Sequence, residues 1–307
     1  MPVAADVTAV VLTFDEKLHI ARCLERLVPH VARVVVVDSF SRDETVEIAR
    51  AHGADVLQRR FVSHAGQFNW ALDSAGITTG WTLRIDADEY LDDAAASWMK
   101  AFVADAPADV GAAAIRRGVV FQRRRIRHGG IGEVMLTRLW RTGQARLEPR
   151  WMDEHVIVRQ GRIVLAPTGA IIDENLKDLG AFTAKHNDYA TRQMVQHLLA
   201  ERGQAKAVED SLNPHARGKR ALRERLYVPA PLFLRALLYF FWRYILKGGW
   251  RDGREGFIFH GLQGLWNFML VDVKLEEARR VIVSRGWEGF KSWLKATSGI
   301  DLDQALE

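Results

Sequence analysis

The chain has 307 residues, of which 48% are apolar and 26% charged, a composition that is ordinary for a globular protein with a substantial core. The net charge is +5, and because no RNA- or DNA-binding motif is found we predict no nucleic-acid partner. The single cysteine, Cys23, has no partner for a disulfide bond, which fits a reducing compartment. Asp6, Asp15 and Glu16 interrupt the N-terminal region, so no signal peptide is evident and we expect a cytoplasmic protein.

Strand and helix patterns alternate through the first third of the chain. Residues 7–12 form a first apolar strand, and the β-branched run at 33–37 is typical of a strand buried on both faces of a parallel sheet. Asp38 ends this second strand, where its carboxylate can accept hydrogen bonds from a base or a ribose. A third strand at 54–57 and a helix at about 65–74 follow. This alternation predicts a Rossmann-like α/β half-domain.

Two carboxylates, Asp86 and Asp88, end the next predicted strand, which begins at Trp81. Because side chains alternate along a strand, we expect both carboxylates on the same side. Two hard oxygen ligands this close together suit a divalent cation such as Mg²⁺ or Mn²⁺, which can in turn hold a diphosphate. The carboxyl ends of strands are also where an open α/β sheet binds its ligand.

In order and separation, these motifs resemble those of the family-2 glycosyltransferases with the GT-A fold. The resemblance covers roughly the first 90 residues and rests on VVLTFDE at 10–16, VVDSFSRDET at 36–45, QFN at 67–69 and RIDADE at 84–89. One departure is Asp15, where the family usually has asparagine, a near-isostere. The resemblance implies a mixed sheet flanked by helices and an inverting transfer of a sugar from a nucleotide-sugar donor.

The same resemblance assigns the donor site to the ends of the first strands. Asp88 is expected to hold Mg²⁺ or Mn²⁺, and Asp86 to contact the ribose, the metal or a metal-bound water. The other residues predicted to bind the donor are Thr13, Phe14, Glu16, Asp38, Ser39 and Gln67.

A basic, glycine-ended loop occupies residues 123–130, between strand-like segments at 111–120 and 135–140. Such a loop could receive an anionic acceptor or close over the donor. It could equally be a solvated basic hairpin, and the sequence leaves both interpretations open.

A catalytic base is expected just before the strand-like segment 156–158. An acceptor hydroxyl must lose its proton as it attacks the anomeric carbon, and a nearby carboxylate can take that proton. The resembled family has an acidic residue at about this distance after the Asp-x-Asp motif. Glu154 is our first choice for the base and Asp153 the second, a choice that the sequence does not settle.

The most apolar run of the chain lies at 232–246. As a helix of about 22 Å it would be shorter than the roughly 30 Å hydrocarbon core of a bilayer, so we predict that it does not span a membrane. Arg235, Tyr239 and Arg243 recur every four residues, and we expect this stripe to reach toward lipid headgroups. A second apolar helix is predicted at 257–273.

This C-terminal segment is similar to the tail of family-2 enzymes that build bacterial surface polysaccharide or lipopolysaccharide core. That likeness implies two amphipathic helices at the membrane surface. The alternative is that both helices pack on the rest of the protein as ordinary core.

We therefore predict a nucleotide-sugar-binding half at 1–100, an acceptor and catalytic half at 101–225, and a helical membrane-surface segment at 226–307. The resemblance implies a metal-dependent glycosyltransferase that transfers sugar from a UDP-sugar to a hydroxyl of a lipid-linked or lipopolysaccharide acceptor, at the inner face of the cytoplasmic membrane. One alternative is a sugar-1-phosphate nucleotidyltransferase, which is disfavoured because the first strand lacks a following glycine-rich loop. Another is an inactive membrane-surface scaffold with a vestigial nucleotide site.

Overall fold

The computed structural model describes residues 4–132, 134–152, 154–204, 218 and 230–303. The strands are β1 (Ala5–Thr13), β2 (Val31–Asp38), β3 (Asp55–Gln58), β4 (Trp81–Asp86), β5 (Glu89–Leu91), β6 (Val110–Phe121), β7 (Arg124–Ile126), β8 (Met135–Arg141), β9 (Ala145–Leu147), β10 (Val156–Val158) and β11 (Arg162–Glu174). The helices are α1 (Ile20–Glu25), α2 (Thr45–Ala51), α3 (His64–Ser74), α4 (Asp93–Ala104), α5 (Leu179–Glu201), α6 (Leu234–Phe241), α7 (Gly253–Phe259) and α8 (Asn267–Ser298).

Within these residues, nine strands form one mixed sheet in the order β3-β2-β1-β4-β8-β6-β11-β5, and β7 pairs with β6 at its side. The strands β3, β2, β1 and β4 run parallel, whereas β8 is antiparallel to both of its neighbours. A separate two-stranded ribbon joins β9 to β10. The predicted α/β class, with a mixed sheet flanked by helices, is confirmed.

The central strands carry apolar side chains on both faces of the sheet, and both faces are buried. Val7, Val11 and Leu83 pack on one face against α1 and α4. Val10 and Val35 pack on the other face against α3 and the β9–β10 ribbon. This packing holds the parallel strands, and therefore their carboxyl ends, in fixed positions relative to one another.

The carboxyl ends of three parallel strands therefore meet at one edge of the sheet. Thr13 of β1 lies opposite Asp38 of β2, and Leu12 lies opposite Asp86 of β4. The expectation that Asp88 belongs to the same strand as Asp86 is wrong, since β4 ends at Asp86 and Asp88 lies in the following turn. The Glu89 carboxylate accepts a hydrogen bond from the Asp86 N–H at 2.9 Å, which stabilises this turn.

A separate apolar core joins α5 to α8. Ala190 and Met194 of α5 are buried against Val271, Leu275 and Phe290 of α8. The C-terminal helices thus complete the packing of a helix that begins directly after β11.

The predicted C-terminal helix is present as α6, which continues as a π-helical turn at Trp242–Leu246. The expected orientation of its arginine stripe is wrong, because Arg235 and Arg243 are only 3% and 1% exposed. Arg235 Nε donates to Asp272 Oδ1 of α8 at 2.8 Å, and the Arg243 guanidinium donates to Gln263. The charged stripe faces the neighbouring helices, where Asp272 pairs with Arg235 and Gln263 accepts a hydrogen bond from Arg243. The Nε and Nη2 atoms of Arg243 are buried without a hydrogen-bond partner among the described residues.

The opposite side of this region is apolar and exposed. We call it the C-terminal apolar face, and its side chains are between 45% and 67% exposed. Its residues are Leu234, Leu237, Leu238, Phe241, Ile245, Leu246, Trp250 and Phe257. Among the described residues, no helix is both long enough and apolar enough to cross a membrane.

We expect Asp272→Ala to lower the free energy of unfolding by about 3–5 kcal/mol, because it leaves the Arg235 guanidinium buried without this carboxylate. Urea denaturation would measure the loss. The matched control is Asp188→Ala on the exposed side of α5, which should change stability by less than about 0.5 kcal/mol. Replacing both partners, as Arg235→Met with Asp272→Leu, should restore most of the loss. A loss below about 1 kcal/mol for Asp272→Ala would contradict the buried ion pair.

Candidate functional site

Asp38 organises the first part of the site. Its carboxylate is fully buried and accepts hydrogen bonds from Thr13 Oγ1 at 3.0 Å, the Ser41 N–H at 2.9 Å and Gln58 Nε2 at 3.1 Å. These bonds tie the loop after β2 to the ends of β1 and β3. Because the protein already supplies these donors, Asp38 shapes the loop, and its predicted contact with a nucleoside stays a prediction.

The loop after β1 depends on the residue that departs from the resembled family. Asp15 has a left-handed backbone with φ of 52°, a conformation that aspartate and asparagine adopt more readily than most residues. Its Oδ1 accepts the Arg42 N–H at 2.7 Å, and its own N–H donates to Ser41 Oγ at 2.8 Å. The carboxylate thus serves where an asparagine amide oxygen could, and neighbouring Phe14 is left half exposed beside it.

Gln67 and Ser39 lie next to each other, as the two predicted donor contacts would require. Gln67 is almost fully buried on α3, and its Nε2 donates to Ser39 Oγ at 3.2 Å and to the Arg59 carbonyl at 3.0 Å. Its Oε1 is buried and has no hydrogen-bond partner among the described residues. A buried hydrogen-bond acceptor without a partner is unusual. Gln67 Oε1 could accept a hydrogen bond from a hydroxyl of the nucleotide-sugar donor.

Glu16 connects the first loop to the segment that follows β11. Lys177 Nζ lies 3.1 Å from Glu16 Oε1, and His19 Nδ1 lies 2.5 Å from Oε2. His19 Nε2 accepts the Leu176 N–H at 2.8 Å, so in neutral His19 the proton is on Nδ1 and is donated to Glu16. The structure thereby brings a lysine from far along the chain to a residue predicted to bind the donor.

Asp86 lies between two arginines. Arg138 Nη2 is 3.4 Å from Asp86 Oδ2, and Arg84 Nε is 3.8 Å from Oδ1. Burial alone would raise the pKa of Asp86, but the charges of Arg138 and Arg84 outweigh it and hold this pKa below its usual range. Asp86 Oδ1 is nevertheless buried without a hydrogen bond to the described residues, which leaves an acceptor available to a ligand.

Asp88 is covered by the first turns of α5. Lys185 Nζ lies 3.2 Å from Asp88 Oδ2, and Asn175 Nδ2 donates to the same oxygen at 3.3 Å. Burial raises the pKa of Asp88, but the Lys185 charge more than offsets this and lowers it. A cation already lies on the carboxylate that was predicted to hold a metal.

Glu89 supports this arrangement from inside the protein. Burial raises the pKa of Glu89 to about 8, against the opposing effect of Arg138, whose Nη2 lies 2.6 Å from Glu89 Oε1. Arg138 therefore contacts both Glu89 and Asp86, and it fixes the turn that presents Asp88.

Glu154 lies close to the Asp-x-Asp motif. Its Oε1 is 3.0 Å from Arg84 Nη2 and 3.3 Å from His64 Nδ1, and its side chain is 13% exposed. Burial raises the pKa of Glu154, but the hydrogen bond and charge of His64, together with Arg84, lower it below its usual range. Asp153, the second choice for the base, lies outside the described residues.

The sequence reasoning did not identify several charged residues of this site. Arg84 and Arg138 could have been found, because each lies among buried apolar residues of a strand and a buried charge needs a partner. Lys177 and Lys185 gave no comparable signal, since each lies far from the motifs in the sequence. His64 lies three residues before the motif at 67–69, but nothing in the sequence marks it as a site residue.

The carboxylates fit a cation that is shared with a ligand. Among the described residues there is no group of three or more histidine, cysteine, aspartate or glutamate side chains that could hold a metal alone. Mg²⁺ is usually bound by one or two carboxylates together with substrate phosphates and water, so Asp88 and the unpartnered Asp86 Oδ1 suffice for that mode.

Two solved structures match the chain at low sequence identity. A Staphylococcus aureus TarS fragment, crystallised with UDP, is 16% identical, with a TM-score of 0.44 over 89% of this chain and 91% of its own. The mannosyltransferase PcManGT from Pyrobaculum calidifontis, crystallised with GDP-Man and Mn²⁺, is 15% identical, with a TM-score of 0.43 over 97% of this chain and 84% of its own.

Sequence comparison gives closer matches over a shorter stretch. Uncharacterized glycosyltransferases of Rickettsia felis and Rickettsia prowazekii are 38% and 34% identical over 85 residues, which are 28% of this chain. The match spans 29% and 28% of the length of these two relatives. The family model described as glycosyl transferase family 2 matches residues 8–164, about half of the chain. The chain belongs to glycosyl transferase family 2.

Proposed function

We propose that the protein is an inverting glycosyltransferase that moves a sugar from a UDP-sugar to a hydroxyl of a lipid-linked or lipopolysaccharide acceptor. One observation carries this proposal. The buried Arg84 guanidinium contacts both Asp86 and Glu154, and so holds the predicted base beside the predicted donor site. The two carboxylates come from distant parts of the chain, so the fold itself brings the predicted base to the predicted donor site.

The donor would lie at the edge where β1, β2 and β4 end. The nucleoside would rest on the loops of Thr13, Phe14 and Ser39, and the unpaired Gln67 Oε1 would accept a hydroxyl of the donor. Lys177 pairs with Glu16 and Lys185 pairs with Asp88, so two positive charges lie beside these carboxylates, where the diphosphate would bind. Two cations near a leaving diphosphate stabilise the charge that develops on it.

Asp88, with Asp86 Oδ1, would hold a divalent cation together with the donor phosphates. When bound, Mg²⁺ or Mn²⁺ would supply positive charge that stabilises the departing diphosphate. Lys185 would have to release Asp88 for this arrangement, and its ammonium group would then be available to the same phosphates.

Glu154 would act on the acceptor. Its carboxylate takes the proton of the acceptor hydroxyl while that oxygen forms a bond to the anomeric carbon. The bond between the anomeric carbon and the diphosphate oxygen breaks, and its electron pair leaves with the diphosphate. Attack opposite the leaving group inverts the anomeric configuration.

The nucleotidyltransferase alternative is disfavoured, since the chain belongs to a glycosyltransferase family and the first loop carries Asp15 and Glu16 in place of glycines. The inactive-scaffold alternative differs in one measurable respect. A scaffold would not hydrolyse or transfer the sugar of any donor, whereas a glycosyltransferase releases the nucleoside diphosphate.

We further propose that the C-terminal apolar face rests on the inner face of the cytoplasmic membrane. Exposed apolar side chains on a helix gain free energy by entering the interface of a bilayer. Lys247, Arg251 and Arg254 are exposed beside this face, and basic residues there favour an anionic surface. A lipid-linked acceptor is confined to that surface, so docking would raise the rate of encounter.

Two substitutions should separate donor binding from proton transfer. Asp88→Asn should abolish turnover and weaken Mn²⁺-dependent UDP binding, because it removes one ligand charge beside the diphosphate. Glu154→Gln should lower kcat by about 10²–10⁴ with little change in UDP binding, and Asp153→Asn should have a smaller effect. Calorimetry with UDP and a donor-consumption assay would measure the two quantities, with the exposed Asp105→Asn as control.

Near-normal turnover of Asp88→Asn with Mn²⁺ would refute the metal assignment. An inactive Asp153→Asn beside an active Glu154→Gln, with equal UDP binding in both, would assign the base to Asp153 instead.

The acidic limb of the rate profile should depend on His64. The pKa of Glu154 is lower in the folded protein than in the unfolded chain. The ionised carboxylate therefore stabilises the fold above the unfolded pKa, and this stabilisation is lost as the pH falls through the pKa of the folded protein. His64→Leu removes a hydrogen bond that lowers this pKa, so the acidic limb of kcat/KM should move to higher pH. His52→Leu, at a histidine paired weakly with Glu25, should leave the limb unchanged. An unmoved limb in His64→Leu would mean that Glu154 does not control it.

The apolar face should govern membrane binding. Leu237→Ser combined with Phe241→Ser should weaken binding to vesicles of phosphatidylcholine and phosphatidylglycerol by about tenfold or more, because each side chain contributes roughly 1–2 kcal/mol on insertion. Sedimentation would measure this, with Val283→Ser, 88% exposed on α8, as the control. UDP binding should be unchanged in both variants. If the wild-type protein stays in the supernatant at low salt, the membrane proposal is wrong.

A further inference from the structure

A second cavity lies apart from the donor site, between β6, β7 and the loop that follows them. Its volume is about 400 Å³, within the range of small-ligand pockets. It is lined by Arg116, Gly118, Arg125, Ile126, Arg127 and Gly132.

The cavity is on the opposite side of β6 from the donor site. Arg116 and Gly118 flank Arg117, and alternate residues of a strand point to opposite faces. Arg117 Nε donates to Asp173 Oδ2 at 3.1 Å, near the end of β11 where the site begins. The cavity is therefore separate from the donor site.

Three arginines surround this cavity without compensating charge from the described residues. Among the residues that the structure describes, Arg116, Arg125 and Arg127 form no ion pair, and Arg116 Nη1 donates to the Gly132 carbonyl at 3.2 Å. Two nearby arginines do form ion pairs. Arg117 pairs with Asp173, and Arg124 Nη1 lies 3.3 Å from Glu255 Oε2. Grouped guanidinium ions favour an anion, and phosphate matches their paired N–H donors.

Gly118 leaves room for one of these guanidinium groups. A Cβ atom at Gly118 would lie 2.6 Å from Arg125 Nη2 and 2.8 Å from Ile172 Cδ1. Both distances are too short for a side chain, so only glycine allows Arg125 to lie against the strand at this point.

The loop of the cavity is bonded to the turn beside the C-terminal apolar face. Asp252 Oδ2 accepts the N–H of Arg127 at 3.1 Å and of His128 at 2.8 Å, and the Gly129 N–H donates to the Lys247 carbonyl at 3.0 Å. Trp250 and Arg251, within the same turn, are exposed. A surface that meets Trp250 would therefore lie next to this basic cavity.

We propose that the cavity of Arg116, Arg125 and Arg127 binds the phosphomonoester headgroup of a membrane lipid when the apolar face is docked. This inference rests on the membrane docking proposed above and adds a chemical class of ligand. A phosphomonoester offers more charge and more acceptor oxygens than a phosphodiester, and three converging arginines can use both. The same chemistry could come from a free phosphate ester in solution, which the experiment must distinguish.

The test uses the full chain and two kinds of phosphatidylcholine vesicle, matched in surface potential. One contains phosphatidic acid, a phosphomonoester, and the other contains phosphatidylglycerol, a phosphodiester. The wild-type protein should bind the phosphatidic acid vesicles about tenfold more tightly. Arg116→Gln combined with Arg125→Gln should abolish this preference and still bind both vesicles. The control, Arg50→Gln combined with Arg123→Gln, removes the same charge from exposed positions outside the cavity and should keep the preference.

Equal wild-type binding to the two matched vesicles would overturn the proposal while leaving membrane docking intact. Equal loss in the cavity variant and the control would also overturn it, since general charge would then explain the binding. If calorimetry shows that the protein binds glycerol phosphate without vesicles as tightly as it binds the phosphatidic acid vesicles, the cavity is assigned to a free phosphate ester instead. UDP binding with Mn²⁺, measured in parallel, reports failure of the donor site separately.

Discussion

A buried guanidinium in the central strand β4 constrains the whole site. Arg84 is 9% exposed between the buried apolar residues Leu83 and Ile85, and an isolated charge there would be strongly unfavourable. The protein provides two carboxylates, Asp86 from the same strand and Glu154 from the segment before β10. The need to neutralise one cation thus places a residue of the second half of the fold against the first half, and the remaining groups are arranged around that contact.

The fold could be predicted from local patterns because its first strands are continuous apolar runs that end in polar residues. The predicted strand at 7–12 became Ala5–Thr13, and the predicted helix at 65–74 became His64–Ser74. The parallel register then places Thr13, Asp38 and Asp86 at one edge, as strand ends require. The patterns did not predict the turn at Asp88, because this turn is stabilised by a local hydrogen bond from the Asp86 N–H to the Glu89 side chain, which the alternation of residues along a strand does not reveal.

The C-terminal region shows why periodicity alone misplaces a helix face. Arg235, Tyr239 and Arg243 share one side of a helix, as their spacing predicts, but periodicity does not say which side meets water. The answer depended on Asp272 and Gln263, which lie on elements further along the chain. An ion pair of Arg235 and a hydrogen bond of Arg243, both to residues distant in sequence, accompany the observed orientation, in which the apolar side is exposed. The lysines at 177 and 185 were missed for the same reason, since their carboxylate partners are far away in sequence.

The shared core of α5 and α8 joins the C-terminal helices to the part of the protein that carries the candidate site. Met194 and Val195 of α5 are buried in an apolar cluster with residues of α8, and Lys185 lies two to three turns earlier on the same helix. A chain shortened to end near residue 226 would leave this apolar side of α5 open to water. It would be prone to aggregate, and the lysine beside Asp88 would lose its support. Removal of the terminal helices would therefore impair the donor site as well as membrane contact, and any trimmed version for crystallography should keep α8.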